Sequence, residues 1–288
     1  MLRSLLVPLD GSKVSEAGLP LAARLARAAG TELHLAHVHV TPVVDQRVDY
    51  NPLPVETPFP IEGLAGSDEV PGEGEYLGYL AERLSRDGAV ADASVLDGPN
   101  VADSLASYAD EVDADMVLMV SHGRSGFRRL WFGSVTDDLV RHSSLPVLVA
   151  RADHSSFRGD RGGNIVVVLD GSELAESAVG PAAEFAQAIG ARVTLLYTEG
   201  DRNGAASYLE EIASPLRAVG LDVSSHAMFG AASGVGIARV ATAMGADVIA
   251  MTTRGRGMWK RALLGSRADE VLSATRLPLL LVRPHAWV

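Results

Sequence analysis

The chain contains the same long segment twice. Residues Leu5 to Val38, "LLVPLDGSKVSEAGLPLAARLARAAGTELHLAHV", align without a gap on Ile165 to Thr198, "IVVVLDGSELAESAVGPAAEFAQAIGARVTLLYT", 160 positions later. A second pair of blocks, "HGRSGFRRLWFGSV" at 122–135 and "RGRGMWKRALLGSR" at 254–267, recurs at an offset of 132. Solenoid repeats have periods of roughly 20–50 residues, so this repeat predicts a whole duplicated domain.

The change of offset predicts the domain organisation. It means that the first half carries about 28 extra residues. We predict a first domain at 1–151 with an insertion at 41–74, a polar, glycine-rich linker at 152–163, and a second domain at 164–288. Six prolines in the insertion argue against a helix. We expect a surface loop on which neither fold nor core depends; a lid or partner-binding role is the alternative.

Composition excludes several classes of protein. The chain has no cysteine, which rules out disulfides, thiolate metal sites and thiol nucleophiles. A formal charge of −11 argues against general binding to nucleic acid or to a membrane surface. No apolar run reaches the roughly 18–20 residues of a membrane span. Because Met1 to Ser4 run directly into a predicted strand, we expect no signal peptide and a cytoplasmic protein.

Short apolar runs alternate with segments of helical periodicity in both halves. Leu5–Leu9 is typical of a strand buried on both faces of a parallel sheet, and a helix is predicted from about Ser15 to Ala29, ending at Gly30. Asn100 is the predicted cap of a helix over 101–112. The further predicted strands are 33–40, 90–96, 116–120 and 147–150, then 165–169, 193–197, 223–228, 248–251 and 279–282. This order predicts an α/β protein with two tandem, doubly wound, parallel five-stranded sheets.

The last strand of each half predicts how the halves meet. Residues 147–150 and 279–282 are apolar and would be exposed sheet edges in isolated domains. We expect them to pair about a pseudo-two-fold axis, which makes the chain an internal pseudo-dimer. Association of whole chains into a homodimer is left open.

Candidate binding residues lie where predicted strands end. Ligands of open parallel sheets bind outside the carboxyl ends of the strands, where the strand order reverses. Asp10 and Asp170 directly follow the first strand of each half. The glycine loops fall on the same edge: Gly123 and Gly133 flank nine residues and precede Ser134, as Gly255 and Gly265 precede Ser266.

These loops have the features of a polyphosphate site. Each second glycine opens a predicted helix, whose N-terminus presents free N–H groups and a partial positive charge. Neither loop contains a carboxylate, although the protein is acidic. The basic residues of the two loops are Arg124, Arg128, Arg129, Arg254, Arg256, Lys260 and Arg261.

Common nucleotide motifs are absent, but another pattern is present. No G-x-x-x-x-G-K-[ST] occurs, and Gly234-Val235-Gly236 lacks the third glycine of a dinucleotide fingerprint. The order "VPLDGS", then G-x9-G-S, then "LPVLV", found in both halves with small changes, resembles the universal stress protein family and its tandem two-domain members. The resemblance implies a Rossmann-like fold of the adenine nucleotide alpha hydrolase type, and a module that binds ATP or a related adenine nucleotide, with or without Mg²⁺, in stress response or signalling.

The resemblance also implies roles for individual residues. The aspartate after the first strand would recognise the adenine edge, the end of the second strand would line the base pocket, and the glycine loop would wrap ribose and phosphates. The residues implied are Pro8, Asp10, Val38, Val120, Gly123, Gly133, Ser134, Val135, Thr136, Asp170, Thr198, Thr252, Gly255, Gly265 and Ser266.

The chain departs from the family's G-x2-G-x9-G-[ST] pattern at its first glycine. Val120 and Thr252 stand there, and β-branched residues rarely adopt a left-handed backbone. If the glycine lets the backbone approach the ligand, binding is weakened; if it is only required to be small, little changes. We expect tighter binding in the first half, which has Pro8 and the Thr136 hydroxyl. A Thr252 hydroxyl contact to ribose, or a phosphate contact from Arg267, would oppose that ranking.

Three function classes remain at this point. They are a nucleotide-responsive module without rapid turnover, a slow ATPase, and a protein-interaction module that has lost nucleotide binding. Two less favoured site hypotheses are a nucleophile and base at Ser121-His122 and a metal site at His37 and His39. The second half repeats neither pair.

Overall fold

The computed structural model describes residues 2–40, 72–121, 134–153, 163–199, 202–228, 232–253 and 266–284. Strands and helices alternate along both halves. The strands are β1 Ser4–Pro8, β2 Glu32–Val40, β3 Ala91–Gly98, β4 Met116–Ser121, β5 Val147–Arg151, β6 Asn164–Leu169, β7 Arg192–Tyr197, β8 Val223–Ala227, β9 Val248–Thr252 and β10 Leu279–Val282. The helices are α1 Lys13–Glu16, α2 Leu19–Ala29, α3 Glu73–Arg86, α4 Val101–Glu111, α5 Ser134–His142, α6 Glu173–Glu176, α7 Val179–Ile189, α8 Arg202–Ala218, α9 Gly234–Ala243 and α10 Ser266–Ala274.

The ten strands of the described residues form one sheet, in the order β3-β2-β1-β4-β5-β10-β9-β6-β7-β8. Within each half neighbouring strands are parallel, as expected for a doubly wound α/β fold. The chain builds outward from β1 through β2 to β3, then returns to place β4 and β5 on the other side of β1. The strand order therefore reverses between β1 and β4, and in the second half between β6 and β9.

The two halves join at an antiparallel pair of strands. Leu148 of β5 lies opposite Leu280 of β10, within a register that runs from Val147↔Leu281 to Val149↔Leu279. These are the two apolar edge strands expected to cover each other. At the end of β5, Arg151 donates from Nε to Asp153 Oδ1 at 2.8 Å. Arg276, which follows α10, lies 3.6 Å from the other oxygen of Asp153, so an ion-pair network adds to the strand pairing.

The core consists of two apolar layers, one on each face of the sheet. Alternation along β1 places Leu5 and Val7 in one layer and Leu6 in the other. Side chains of α2, α3, α7 and α8 fill the first layer, and those of α4, α5, α9 and α10 fill the second. Each layer contains residues of both β5 and β10, so the core continues from one half into the other. No helix among the described residues is long and apolar enough to cross a membrane.

Two predicted boundaries in the first half were wrong. The helix predicted from Ser15 to Ala29 is two helices, α1 and α2, separated at Ala17 and Gly18. Pro20 explains the break, because it has no N–H to donate to the carbonyl of Glu16 in a continuous helix. Residues 73 and 74, which were assigned to the insertion, form the first turn of α3. The rest of the insertion, 41–71, and the linker residues 154–162 lie outside the described residues.

A close contact at Gly18 connects the first helices to β4. A Cβ built on Gly18 would lie 2.6 Å from Cγ2 of Val120, which is shorter than carbon atoms tolerate. Gly18 has a helical backbone (φ −79°), so its lack of a side chain matters for space and not for conformation. The second repeat has the fully buried Ala178 at this position. Gly18 thus makes room for the valine that replaces the family's glycine.

We expect Gly18→Ala to destabilise the protein by about 1–3 kcal/mol through overpacking against Val120. In a Val120→Ala background the same change should be neutral, or stabilise by about 0.4–1 kcal/mol, because alanine restricts the unfolded chain. Urea denaturation of the two single variants and the double variant measures this coupling. If the effects of the two substitutions on the free energy of unfolding simply add in the double variant, the assigned contact is wrong.

Two acidic residues at matching repeat positions lie close together across the junction of the halves. Asp137 belongs to the first turn of α5 and Asp269 to that of α10, and each is half-buried. Desolvation, and then the negative charge of Asp137, raise the pKa of Asp269 from 3.8 to about 6. Between these pH values the folded protein therefore binds a proton that the unfolded chain does not.

Because the folded pKa of Asp269 is raised, its contribution to stability is complete below pH 3.8 and is lost as pH rises through about 6. We expect Asp269→Asn to unfold at higher urea concentration than the wild type at pH 7.5, with a much smaller difference near pH 4. Glu211→Gln, at an exposed position of α8, is the control. An equal shift at both pH values would contradict the raised pKa.

Candidate functional site

The same turn follows the first strand of each half. In the Asp-Gly-Ser sequence after β1, Asp10 Oδ1 accepts a hydrogen bond of 3.0 Å from the Ser12 N–H, and Gly11 has a φ of 77° that favours glycine. Ser12 then caps α1 by accepting from the Ser15 N–H at 3.1 Å. The turn therefore holds its aspartate at the carboxyl end of the strand, beside the point where the strand order reverses.

We define the first site as the carboxyl ends of β1, β2 and β4 with the N-terminus of α5, and the second site as the ends of β6, β7 and β9 with the N-terminus of α10. Both lie at the topological switch point of their half, where open α/β sheets bind ligands. The predicted aspartates and helix starts thus occur together on one edge of the sheet.

Asp10 is exposed at the first site. Desolvation of its carboxyl alone would raise its pKa, but hydrogen bonds from Ser12 and Ser15 outweigh this effect and lower the pKa below 3.8. The side chain is therefore an ionised acceptor at neutral pH. Within the part of the chain that the structure describes, Asp10 makes no ion pair, so its charge faces solvent.

Asp170 has a different environment at the second site. It is 4% exposed, and its Oδ1 accepts hydrogen bonds from the backbone and the hydroxyl of Ser172. Its Oδ2 lies 4.0 Å from Nη1 of Arg267, the second residue of α10. The same guanidinium also donates from Nη2 to the Glu199 carboxylate, two residues beyond β7. Arg267 therefore connects the ends of β6 and β7.

The residues predicted to line the base pocket are buried beside the aspartates. Val38 is buried near the end of β2. His37 donates from Nδ1 to the Leu9 carbonyl at 2.8 Å, which places this strand next to the residue before Asp10. Thr198 is fully buried, and both its N–H and its Oγ1 donate to the Leu169 carbonyl, at 2.8 and 3.1 Å. Its hydroxyl therefore already has an acceptor within the protein.

The remaining predicted site residues fall into two groups. Pro8 is the last residue of β1, and Val135 is half-buried on α5. Thr136 is buried on α5, so its hydroxyl is less accessible than expected for a phosphate contact. Ser134 and Ser266 are the first residues of α5 and α10. The other group lies outside the described residues: Gly123, Gly133, Gly255, Gly265 and the basic residues Arg124, Arg128, Arg129, Arg254, Arg256, Lys260 and Arg261.

Val120 and Thr252, at the lost glycine position, are ordinary strand residues. They belong to β4 and β9, and neither has a positive φ. Val120 turns its side chain toward Gly18 on the face of the sheet where α1 and α2 pack. The chain therefore does not adopt a left-handed backbone at these positions.

The two less favoured site hypotheses receive no support from the geometry. Ser121 is 1% exposed, which is unfavourable for a nucleophile, and His122 lies outside the described residues. His37 and His39 both approach Glu73, but the described ranges contain no group of three or more His, Asp or Glu side chains arranged to hold a metal ion.

Sequence reasoning missed a tyrosine–glutamate contact above the aspartates. The Tyr76 hydroxyl donates to Glu16 Oε1 at 2.9 Å, and so connects α3 to α1. The second half places the matching residues near each other, since burial, and then the charge of Glu176, raise the pKa of Tyr208. The buried Tyr208 hydroxyl does not make the hydrogen bond that Tyr76 makes. The signal was available, because the glutamates recur at the offset of 160 and the tyrosines at 132. Their proximity could not be read from the sequence, since the offset changes between them.

This combination of a doubly wound sheet, repeated aspartate turns and helix N-termini at both switch points defines a tandem α/β protein with two homologous candidate sites. The model of the universal stress protein family matches residues 1–151 and 163–283. The chain belongs to the universal stress protein family, as a tandem two-domain member.

Individual relatives agree with this assignment. The chain is 26% identical over 195 residues to universal stress protein Rv2005c of Mycobacterium tuberculosis, covering 59% of this chain and 62% of that protein, so less than two thirds of the relative's length is matched. It is 29% identical over 152 residues to universal stress protein YxiE of Bacillus subtilis, covering 52% of this chain and 100% of YxiE. The crystal structure of a universal stress protein from Archaeoglobus fulgidus has the same fold, with a TM-score of 0.68, 18% identity and coverage of 98% and 99% of the two chains.

The contact between His39 of β2 and Glu73 of α3, at the first site, can be tested. His39 Nδ1 lies 3.0 Å from Glu73 Oε1, and this hydrogen bond, followed by the charge of Glu73, raises the pKa of His39 above 6.5. We expect Glu73→Gln to return the His39 pKa toward its ordinary value, measured by NMR titration of the imidazole. Glu75→Gln, an exposed position on the same helix, should leave it raised. Identical titrations in all three proteins would contradict the contact.

Proposed function

We propose that this protein is an adenine-nucleotide-binding module that acts in stress response or signalling without rapid turnover, and that it binds ATP or a related nucleotide at the first site. The observation that carries this proposal is the exposed, ionised Asp10 at the switch point between β1 and β4. Family membership supports it, because the order of motifs in this chain resembles that of the ATP-binding members.

Each part of the proposed site has chemistry suited to one part of the nucleotide. The Asp10 carboxylate would accept a hydrogen bond from the exocyclic amino group of adenine. The apolar Val38, beside it, would pack against the base. The first N–H groups of α5 have no partners within the helix, and together with its dipole they favour phosphate. The loop from Gly123 to Gly133 would complete the phosphate site, and Mg²⁺ would accompany a polyphosphate.

We propose further that the halves function as an internal pseudo-dimer in the cytoplasm. The β5–β10 pairing supports this arrangement, since it makes one sheet and one continuous core from two copies of the same fold. The first and second sites lie on this shared sheet, each at the switch point of its own half.

Nucleotide carried through purification distinguishes the proposal from the alternatives. We expect ultraviolet absorbance and chromatography of the supernatant after denaturation to reveal an adenine nucleotide. Its absence, together with no binding of added ATP, would favour a protein-interaction module. Phosphate release from added ATP and Mg²⁺ over many turnovers would favour an ATPase.

Substitution of Asp10 tests the site itself. Loss of one hydrogen bond to the base should weaken ATP binding by about 1–3 kcal/mol, or roughly 5- to 150-fold in Kd. We expect Asp10→Ala to show this loss in calorimetric titration. Asp10→Asn should show it too, because an amide nitrogen replaces the second carboxylate oxygen and cannot accept from adenine. Its melting temperature should be unchanged, since the amide oxygen can still accept from the Ser12 N–H.

Asp110→Ala provides the matched control. Asp110 is an exposed acid near Arg3 and Asp115, at the opposite edge of the sheet, so its loss changes the net charge equally without touching the site. We expect its Kd to equal that of the wild type. If all three variants bind ATP as the wild type does, Asp10 does not hold the base.

A further inference from the structure

We infer that Arg267 closes the second site to nucleotide by occupying it from within, so that the chain holds one nucleotide and not two. This inference rests on the proposed function, which it restricts to the first half. In this view the duplicated sites have diverged: the first keeps a binding role, and the second keeps the same scaffold with an internal ion pair in place of the ligand.

The position of Arg267 carries the argument. The guanidinium lies 4.0 Å from Asp170 and donates to Glu199, so it spans the ends of β6 and β7. Thr198, the predicted base-pocket residue, precedes Glu199 directly. The base of a nucleotide bound as proposed for the first site would have to lie between Asp170 and Thr198. Arg267 therefore stands where the adenine edge would be recognised.

Charge explains why adenine is a poor replacement for the arginine. Asp170 is 4% exposed, and a buried carboxylate needs a compensating charge or several hydrogen bonds. Arg267 is itself partly exposed, and its loss would remove a positive charge from beside the buried Asp170 carboxylate. Adenine is neutral, so it can supply a hydrogen bond to Asp170 but no positive charge for Asp170 and Glu199 together.

The first site keeps the aspartate but lacks the counterparts of Arg267 and Glu199. Val135 stands at the position of Arg267, and His39 at that of Glu199. His39 contacts Glu73 of α3, whereas the second half has Ala205 at the position of Glu73. Three changes thus separate the two sites, and together they leave Asp10 exposed while its counterpart is buried.

The alternative role for Arg267 is a phosphate contact at the start of α10. In the structure its guanidinium faces two carboxylates instead, and a phosphate would have to compete with both. The two roles predict opposite results for one variant. If Arg267 binds phosphate, removing it weakens nucleotide binding; if it closes the site, removing it permits binding.

Calorimetric titration of nucleotide-free, full-length protein with ATP and Mg²⁺ provides the test. We expect one nucleotide per wild-type chain, and two per chain for Arg267→Val combined with Glu199→His, which copies the first half. Arg217→Val is the matched control, because Arg217 pairs with Glu210 on α8, away from both sites. It should bind one nucleotide.

The reverse exchange keeps the inference testable if the variant of the second site fails to fold. Val135→Arg with His39→Glu and Glu73→Ala installs the ion pair of the second half at the first site, and should weaken ATP binding there by roughly tenfold or more. Two nucleotides per wild-type chain, or exchanges that change neither stoichiometry nor affinity, would overturn the inference that Arg267 closes the second site. They would leave the proposed function of the first site intact. No ATP binding by any of these proteins would instead overturn the proposed function.

Discussion

The antiparallel pairing of β5 with β10 is the interaction on which the whole architecture depends. Each half alone would end in an exposed, mostly apolar strand whose backbone groups lack partners on one side. The pairing satisfies those groups, and it places Leu148 beside Leu280 in a core that runs through both halves. A chain with two copies of one domain therefore becomes one ten-stranded sheet with two equivalent switch points.

Duplication on a shared scaffold lets the two sites differ without any change of fold. The Asp-Gly-Ser turn and the serine cap both recur, because they hold the backbone at the strand ends. What differs is the set of side chains above the turn. Val135 and His39 leave Asp10 exposed, whereas Arg267 and Glu199 surround Asp170 with charge. The scaffold is thus retained, while a few residues on it decide which of the two aspartates is exposed.

The replaced glycine of the family pattern shows how a local change is accommodated nearby. Val120 sits in β4 with an ordinary strand backbone, and its extra bulk is directed at Gly18, which has no side chain to oppose it. From the sequence this position could be judged only as a loss, because the compensating residue is about a hundred positions away. In the structure, the side chain added at Val120 occupies the space that a side chain at Gly18 would need.

The sequence by itself determined the class of fold, the duplication, nearly all strands and helices, and the edge on which the aspartates lie. These follow from local patterns: apolar runs of strand length, helical periodicity, and turn residues such as those after Leu9 and Leu169. It placed the break between α1 and α2 and the start of α3 wrongly, since both depend on details of single turns. Only the tertiary structure decided which carboxylates are exposed and which are paired. Arg267 meets Asp170 and Glu199 across two strand ends and a helix start, and no spacing along the chain encodes a distance between side chains brought together by folding.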